Sequence, residues 1–270
     1  LSGPWNTTSS SGKTDTLYLR WILPSVGIHR TGYIRYQATV DTGSLLCLGA
    51  CEAVGGKKKT ALPFTPIPEL VHNGTIITDD VEDGSTLRRG KPALHIIYGV
   101  DIAVNAGNTL YFLPLLPLLK DKKLSAEKKV LIYELFISEM AKLSLGQGMD
   151  IFWHRGQRDV SEGEYLQMCS FKTGSLARIA AGLGGILGGA SEKQLDALKD
   201  FATSLGIAFQ IQDDILNIKP NEGWGKETGD DIKEGKRSIL VVRCMSKCSA
   251  VERRRLVEIL NKPPEQTTDA

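Results

Sequence analysis

Apolar residues recur at helical spacing along most of this chain, and no segment alternates apolar and polar residues as a half-buried strand does. Stretches rich in Gly and Pro interrupt this pattern and mark the ends of the predicted helices. The predicted helices cover residues 45–54, 68–83, 101–119, 126–153, 162–188, 192–218, 237–247 and 249–261. The predicted fold class is therefore all-α.

The composition is that of an ordinary globular protein. The chain has 270 residues, of which 41% are hydrophobic and 24% are charged, enough for one large core or two small ones. Lys and Arg number 33 and Asp and Glu 31, so the formal net charge is only +2. Such a chain has no overall field that would attract nucleic acid, and we expect its charges to act locally.

Cysteine usage and the longest apolar run bear on location. The cysteines number five, an odd count, and the chain does not open like a secretory signal, so we expect a reducing, cytoplasmic location. The longest apolar run, residues 109–119, is short for a membrane span and contains Pro114 and Pro117. We therefore predict no membrane span and a bent, buried helix there.

The two ends of the chain differ from its middle. Residues 1–44 mix Ser, Thr and Gly with scattered aromatic residues and show no clear period, so they form a poorly specified N-terminal segment. Residues 45–270 contain the predicted helices and form the domain. The last ten residues, NKPPEQTTDA, have the composition of a linker. We expect further helices of the domain to follow that linker.

Acidic residues crowd the end of the helix predicted over 68–83. Asp79 and Asp83 are four positions apart and Asp80 is three before Asp83, so their carboxylates share one face. Mutual repulsion and the negative end of the helix dipole each cost on the order of 0.3–1 kcal/mol. A cation reverses both effects, and carboxylates with room for water suit Mg²⁺. The alternative is a solvated acidic helix end.

A second acidic pair, Asp213 and Asp214, interrupts the apolar residues of the helix predicted over 192–218. Burying carboxylates is costly unless they are paired or bind a metal, and this pair alone is compatible with a buried salt bridge or with a metal site. The chain also has basic residues at 87–92, at Lys226 and at Lys236. Together with the two acidic pairs, they favour a site in which two acidic walls hold Mg²⁺ beside a polyanion such as diphosphate. The chain has no P-loop motif, which disfavours a nucleotide.

Five segments together resemble the motifs of the trans-isoprenyl diphosphate synthases, the head-to-tail polyprenyl synthetases. They are HNGTIITDDVEDGSTLRRGKPALH (72–95), GQGMD (146–150), FKTGSLA (171–177), FQIQDDILNI (209–218) and GKETGDDIKEGKRS (225–238). The resemblance implies a single-domain helical bundle around a deep central cavity, the isoprenoid synthase fold, usually as a homodimer. It also implies a Mg²⁺-dependent transferase of isoprenoid biosynthesis that joins an allylic diphosphate to isopentenyl diphosphate.

The resemblance implies a role for each residue that matches a family motif. The two Mg²⁺ walls would be Asp79, Asp80 and Asp83, and Asp213 and Asp214. The allylic diphosphate would be held by Lys172, Lys226, Lys236 and Arg88, and isopentenyl diphosphate by Arg89 and His72. Dipoles facing the developing allylic cation would come from Gln210, Thr173 and the carbonyl of Lys172, supported by Gln147 and Asp150. Such groups are needed because the carbon–oxygen bond ionises only if the charge on the departing diphosphate is neutralised.

Product length is predicted from three positions. Gly74 lies five residues before Asp79, where farnesyl-making relatives commonly place an aromatic ring, and a glycine would leave the cavity floor open. Tyr111 and Phe112 resemble the bulky pair that stops the chain in some geranylgeranyl-making relatives. The expected product is therefore geranylgeranyl diphosphate. The alternative is that Gly74 only permits close helix packing and that both aromatic residues belong to the core.

Two departures from the family pattern leave an alternative function open. The G-G-K-x-x-R-P motif that normally precedes the first aspartates is absent from its expected place at 38–44, and GGKKKTALP (55–63) follows the helix that the motif should precede. The second aspartate motif ends in Asn217 instead of Asp. Some non-catalytic regulatory subunits lose the basic motif and carry C-x-x-x-C, as in Cys47 to Cys51. Those subunits usually lose the aspartates, which this chain keeps, so the synthase is the favoured interpretation. A terpene cyclase is disfavoured because DDILN is not its second metal motif.

Overall fold

Helices make up nearly all of the regular structure in this computed structural model, which describes residues 15–20, 33–38, 42–156, 159–220, 228–262 and 266. The described α-helices are α1 (Thr42–Ala53), α2 (Lys58–Ala61), α3 (Pro66–Glu82), α4 (Leu94–Tyr98), α5 (Val100–Phe112), α6 (Leu115–Lys120), α7 (Ala126–Gly156), α8 (Glu162–Lys172), α9 (Gly174–Gly188), α10 (Glu192–Ile218), α11 (Asp230–Lys233), α12 (Ile239–Lys247) and α13 (Ala250–Leu260). A 3-10 helix, Leu62–Phe64, joins α2 to α3. The predicted all-α class is confirmed. Lys226 lies outside the described residues.

Two short antiparallel hairpins accompany the helices. Strands β1 (Asp15–Arg20) and β2 (Tyr33–Ala38) pair with Leu17 opposite Tyr36. Sequence analysis missed them because their connection, residues 21–32, is too long to give the signal of a tight turn. Strands β3 (Leu87–Arg88) and β4 (Lys91–Pro92) are joined by Arg89 and Gly90, which both have positive φ, 52° and 72°. This is the backbone of a two-residue hairpin turn.

The helix boundaries differ from the prediction at two informative places. The helix predicted over 101–119 is divided into α5 and α6 at Pro114, which has no amide hydrogen to continue the ladder. The helix predicted over 162–188 is divided into α8 and α9 at Thr173. The helix predicted over 192–218 is confirmed as α10. It starts with a capping box, in which Ser191 and Gln194 satisfy each other's backbone N–H groups.

The prediction that residues 109–119 form a buried helix was wrong. Phe112 and Leu119 are exposed, and α5 packs chiefly on α3 and α4. Within the described residues, one helical stretch, Val100–Lys120, is long and apolar enough to cross a membrane, and 22% of its most apolar window is buried. Such a stretch in a helical protein also suits a contact with another chain.

The core forms where α9 packs against α1, α7 and α10. Glycines on α9 let the helices approach closely, since a Cβ on Gly184 would lie 2.0 Å from the carbonyl oxygen of Cys47. A Cβ on Gly188 would likewise lie 2.8 Å from the carbonyl oxygen of Cys51. Cys47 and Cys51 are consequently fully buried, and burial raises the pKa of the Cys47 thiol to about 12. The C-x-x-x-C pair is therefore part of this helix packing and not of a surface.

Candidate active site

A cavity of about 650 Å³ opens between the second half of α3 and the second half of α10, with α7 and α8 completing its wall. It is lined by most of the residues that the sequence singled out: His72, Asp79, Arg88, Arg89, Tyr111, Gln147, Asp150, Lys172, Thr173, Gln210, Asp213, Asp214 and Lys236. Its lining does not include four others, which are Gly74, Asp80, Asp83 and Phe112. The motifs, far apart in sequence, therefore meet at one place.

On the first acidic wall, Asp79 faces cations and an amide. Its Oδ1 accepts hydrogen bonds from Gln147 Nε2 at 2.9 Å and from Lys172 Nζ at 3.3 Å, and its Oδ2 lies 3.8 Å from Arg88 Nη2. Burial would raise the pKa of Asp79, but Lys172, Lys236 and Arg88 together hold it well below its usual range. The Asp79 carboxylate thus stays ionised inside the cavity.

Asp80 has a different environment from its neighbour. It is buried, and its Oδ1 accepts hydrogen bonds from Arg88 Nε at 2.8 Å and from Arg88 Nη2. Burial raises the pKa of Asp80, although the Arg88 guanidinium opposes the effect. Asp80 therefore fixes Arg88 and the β3–β4 hairpin, whose turn places Arg89 on the cavity wall.

Lys236 occupies the centre of an acidic group at the edge of the cavity. Its Nζ lies 2.7 Å from Asp83 Oδ2, 2.6 Å from Glu234 Oε2 and 3.8 Å from Asp231 Oδ1. Burial raises the pKa of Glu234 to about 7, although the Lys236 charge opposes the effect. Asp83 thus pairs with Lys236 across the space between α3 and α11.

Lys172 ends α8 and projects into the middle of the cavity. Its Nζ donates to Asp150 Oδ2 at 2.8 Å and to Asp79 Oδ1 at 3.3 Å. Burial would lower the pKa of Lys172, yet Asp150 and Asp79 raise it above its ordinary value. Burial would in turn raise the pKa of Asp150, and Lys172 and Lys236 lower it. Lys172 is therefore a fixed positive charge between α3 and α7.

On the second wall, Asp214 is bonded to the protein through both oxygens. Its Oδ2 accepts from Tyr165 Oη at 2.7 Å and from the backbone N–H of Ile239 at 2.8 Å, and its Oδ1 accepts from Gln210 Nε2 at 3.2 Å. Gln210 Oε1 accepts from Thr173 Oγ1 at 2.7 Å. Through these contacts Asp214 anchors α8 and α12, and it also lines the cavity. Its role in a metal wall stays a prediction.

Sequence analysis missed Tyr165, which is almost fully buried and lines the cavity. The signal was weak, since an aromatic residue seven positions before Lys172 looks like any core residue. Asn217, the departure from the family pattern, is also buried; its Oδ1 lies 3.4 Å from the backbone N–H of Asp231, which donates to it. An amide at this position thus holds the start of α11 without adding a charge.

The donor set fits Mg²⁺ in kind. Hard carboxylate oxygens come from Asp79 on α3 and Asp213 on α10, which line the cavity, and from Asp83, which directly follows α3. Mg²⁺ takes few protein carboxylates together with waters and substrate phosphates. Among the described residues, no group of three or more Asp, Glu, His or Cys side chains converges into a complete metal cage. The arrangement suits an ion shared with a bound polyanion.

The three residues predicted to set product length lie in three different environments. Tyr111 lines the cavity, and its hydroxyl is 2.8 Å from Thr78 Oγ1. Phe112 is 69% exposed. Gly74 is buried at the crossing of α3 and α5, where a Cβ would lie 2.8 Å from the carbonyl oxygen of Gly107. The predicted open floor at Gly74 was therefore wrong, and the glycine serves close helix packing.

Comparison with known proteins accounts for this arrangement. A family model described as polyprenyl synthetase matches residues 41–270. The chain belongs to the polyprenyl synthetase family. The geranylgeranyl diphosphate synthase of Saccharolobus solfataricus is 34% identical over 83% of this chain and 68% of its own length. The predicted recognition of the family is confirmed.

Solved structures give the same family assignment. The geranylgeranyl pyrophosphate synthetase from Pyrococcus horikoshii superposes with a TM-score of 0.75 at 33% identity, covering 82% of this chain and 67% of that one. The geranylgeranyl pyrophosphate synthase from Corynebacterium glutamicum, complexed with isoprenyl diphosphate and magnesium, has a TM-score of 0.73 at 26% identity, covering 82% and 69%. Five curated synthetase relatives are matched over only 60% to 68% of their own length.

The Asp150–Lys172 pair predicts a pH window for stability. Asp150 has a lowered pKa in the folded state, so its contribution is present above its ordinary value of 3.8 and is lost as the pH falls. Lys172 has a raised pKa, so its contribution is present below 10.5 and is lost at higher pH. Asp150→Asn should therefore lower the free energy of unfolding by about 1.5–3 kcal/mol between these limits.

Urea unfolding without added metal, at intervals from acidic to alkaline pH, measures this difference between wild type and Asp150→Asn. The difference should shrink towards both ends of the range. Asp200→Asn, a change at an exposed acid on α10, is the control and should have little effect at any pH. A difference for Asp150→Asn that does not vary with pH would contradict the assignment.

Proposed function

We propose that the protein is a Mg²⁺-dependent trans-prenyltransferase that joins an allylic diphosphate head-to-tail to isopentenyl diphosphate. The observation that carries this proposal is one cavity lined by Asp79, Asp213 and the cations Lys172, Lys236 and Arg88. Relatives named short chain isoprenyl diphosphate synthase and geranylgeranyl diphosphate synthase support the substrate class. A cytoplasmic location and the absence of a nucleic-acid partner stay predictions.

Different residues of the cavity contribute to binding of the diphosphate and to ionisation of the carbon–oxygen bond. Asp79, Asp83 and Asp213 would hold Mg²⁺, which when bound neutralises charge on the departing diphosphate. Lys172 and Lys236 now pair with carboxylates of the walls and can turn their ammonium groups to phosphate oxygens. These charges are already oriented in the cavity, so little reorganisation accompanies cleavage of the carbon–oxygen bond.

The rest of the cavity stabilises and shields the allylic cation. The Thr173 hydroxyl and the Gln210 amide, joined at 2.7 Å, present dipoles near the end of Lys172. Ile76, Leu143 and Leu176 line the cavity beside them and exclude water from the cation. The alkene of isopentenyl diphosphate then forms the new carbon–carbon bond, and the released diphosphate takes the proton that restores a double bond.

The regulatory-subunit alternative has little support in the structure. Such a subunit would not need Asp79 and Asp213 in the same cavity as Lys172. Its C-x-x-x-C would be expected at a surface, whereas Cys47 and Cys51 are fully buried against α9. The chain therefore has the residues of a synthase and lacks this surface feature of a subunit.

We further propose that a second copy of the chain covers an exposed apolar face on α4 to α7. Its exposed residues are Ile96, Ile97, Tyr98, Val100, Ile102, Val104, Phe112, Leu116, Leu119, Val130, Leu131, Ile137 and Leu145. A monomer rarely exposes so many large apolar side chains on adjacent elements. A two-fold interface uses one such patch twice, which fits a homodimer.

For the proposed function, the prediction is that turnover requires Mg²⁺ and both acidic walls. Asp79→Ala and Asp213→Ala should each lower kcat about 10³-fold, which corresponds to about 4 kcal/mol of transition-state stabilisation. Asp200→Ala on α10 is the control and should leave kcat unchanged. Product formation is measured with purified protein, isopentenyl diphosphate and each allylic diphosphate, with Mg²⁺ or with chelator. Wild-type turnover by either wall variant would remove the proposed mechanism.

Isopentenyl diphosphate should bind more weakly than the allylic substrate. Arg89 and His72 line the cavity, but the family's basic motif is absent, so fewer charge-assisted contacts are available. Lys57 to Lys59 do not replace it, because they precede α3, whose first residue is about 20 Å along the helix from Asp79. Calorimetric titration in Mg²⁺ should give a Kd for isopentenyl diphosphate that is at least about tenfold higher than the Kd for the allylic diphosphate. Equal affinities would refute this.

Geranylgeranyl diphosphate is the predicted main product, and Tyr111 is the predicted limit to its length. Tyr111→Ala opens the cavity wall between α3 and α5 and should shift the products to longer chains. The matched control is the neighbouring Phe112→Ala, which removes a ring that does not line the cavity and should leave the distribution unchanged. Chromatography of the dephosphorylated products measures both. An equal shift in the two variants, or none in Tyr111→Ala, would place the limit elsewhere.

The oligomeric state follows from the apolar face. Ile102→Glu on α5 and Ile137→Glu on α7 place a charge within that face and should convert a dimer into monomers in sedimentation velocity experiments. Val251→Glu on α13 is the control, because Val251 is equally apolar and 78% exposed but lies outside the face. A monomeric wild-type protein would exclude the second copy as the occupant.

A further inference from the structure

The break between α8 and α9 determines how two cavity residues are presented. Lys172 is the last residue of α8, Thr173 lies at the break, and α9 begins at Gly174. Periodicity predicted one continuous helix here, and a Gly-Ser pair, Gly174 and Ser175, is a sequence that allows a helix to kink. The direction of the break sets where the Lys172 ammonium and the Thr173 hydroxyl point.

Two glycines hold the backbone of the break from opposite neighbours. A Cβ on Gly146 of α7 would lie 2.4 Å from the amide nitrogen of Lys172. A Cβ on Gly206 of α10 would lie 2.5 Å from Gly174 Cα and 3.1 Å from the carbonyl carbon of Thr173. The break is thus confined between the backbones of α7 and α10, which explains the first glycine of GQGMD.

Arg178, one turn into α9, packs against the remaining side of the break. It is 5% exposed, and its Nη1 would be 2.9 Å from a Cβ on Gly174. Its guanidinium hydrogen bonds reach four helices: Nε to Glu139 Oε2 at 2.7 Å, Nη1 to Thr203 Oγ1 at 3.0 Å and to Ser170 Oγ at 3.5 Å, and Nη2 to Ser175 Oγ at 2.9 Å. One side chain therefore ties α7, α8, α9 and α10 together at the break.

Stability alone does not explain this ion pair. Burial would raise the pKa of Glu139, yet Arg178 and Lys142 lower it, so the carboxylate stays charged. A buried ion pair is often no more stabilising than apolar residues of the same size, but it restricts the geometry of the groups that it joins. Arg178 is not among the residues that line the cavity, so any effect on the reaction must pass through the break.

From these contacts we infer that Arg178, paired with Glu139, is a positioning residue that fixes the direction in which Lys172 and Thr173 enter the cavity. Its catalytic consequence rests on the proposed prenyl transfer, in which Lys172 holds diphosphate and Thr173 faces the cation. Removing the Arg178–Glu139 clamp leaves Lys172 and Thr173 in the sequence but lets the backbone change direction at the break. A small misplacement of such groups costs rate more than it costs substrate binding.

The first experiment separates positioning from folding. Arg178→Met leaves Glu139 buried with a lost partner, so both Tm and kcat should fall. The double variant Glu139→Gln/Arg178→Met removes the buried charge that has lost Arg178 and should regain most of the Tm. Its kcat should stay at least about tenfold below wild type, while the KM for the allylic diphosphate rises no more than severalfold. Recovery of kcat together with Tm would show a structural role only and overturn the inference.

Lys142→Met is the matched control. Lys142 Nζ bonds the same Glu139 at 2.8 Å and is partly exposed, but no contact of this lysine reaches the break. Its kcat should equal that of wild type. A loss of kcat equal to that of Arg178→Met would show that the effect depends on the ion pairing of Glu139 and not on the contacts of Arg178 at the break.

A second experiment tests whether Arg178 acts through Lys172 and uses binding alone. Calorimetry gives the affinity for inorganic diphosphate in Mg²⁺, and Arg178→Met should weaken it severalfold in the wild-type background. The same change should have no further effect in a Lys172→Met background, because residues that act as a unit are not additive. Equal effects in both backgrounds would overturn the inference. If wild type forms no prenyl product, the proposed function fails and this binding cycle still decides the role of Arg178.

Discussion

Carboxylates from α3 and α7 can share one cavity because cations stand between them. Lys172 bonds Asp79 on α3 and Asp150 on α7, and Lys236 bonds Asp83 at the end of α3. Asp214 on α10 is held instead by hydrogen bonds from Tyr165, Gln210 and the backbone of Ile239. Without these cations, burial would protonate the acids or force the helices apart. The same pairing prepares the cavity for a polyanion, since ammonium groups that now neutralise carboxylates can be taken over by phosphate oxygens while divalent ions take over the carboxylates.

Many residues of this site could be predicted from the sequence because motifs depend on residue type and order. The two aspartate pairs, the LRRGKP turn and the Lys172–Thr173 dipeptide all lie around the cavity, and α10 has its predicted bounds. The short elements were missed, because four- and five-residue helices such as α2, α4 and α11 carry too few periods to detect. The break at Thr173 was missed for another reason: it depends on Gly146 and Gly206, which are distant in sequence and reveal their role only where backbones touch.

The glycine at the α3–α5 crossing shows the limit of carrying over family positions. Gly74 occupies a position where a small residue can mean an open floor, yet here the carbonyl of Gly107 fills the space next to it. A sequence cannot distinguish a glycine that leaves room for a ligand from one that leaves room for a helix. Tyr111 is different, because its hydroxyl is held by Thr78 and its ring stays at the cavity wall.

Both aspartate pairs follow one geometric rule that the motif alone conceals. Consecutive residues of an α-helix point about 100° apart, so the two acids of a pair have different surroundings. In the first pair Asp79 faces the cavity while Asp80 anchors Arg88. In the second pair both acids line the cavity, and Asp214 also anchors Tyr165 and the start of α12. In each pair, therefore, one acid attaches a neighbouring element to the same helix turn. This coupling gives both acids of a pair a function. Removing the anchoring acid moves the basic hairpin or α12, whereas removing its neighbour removes a charge that faces the ligand.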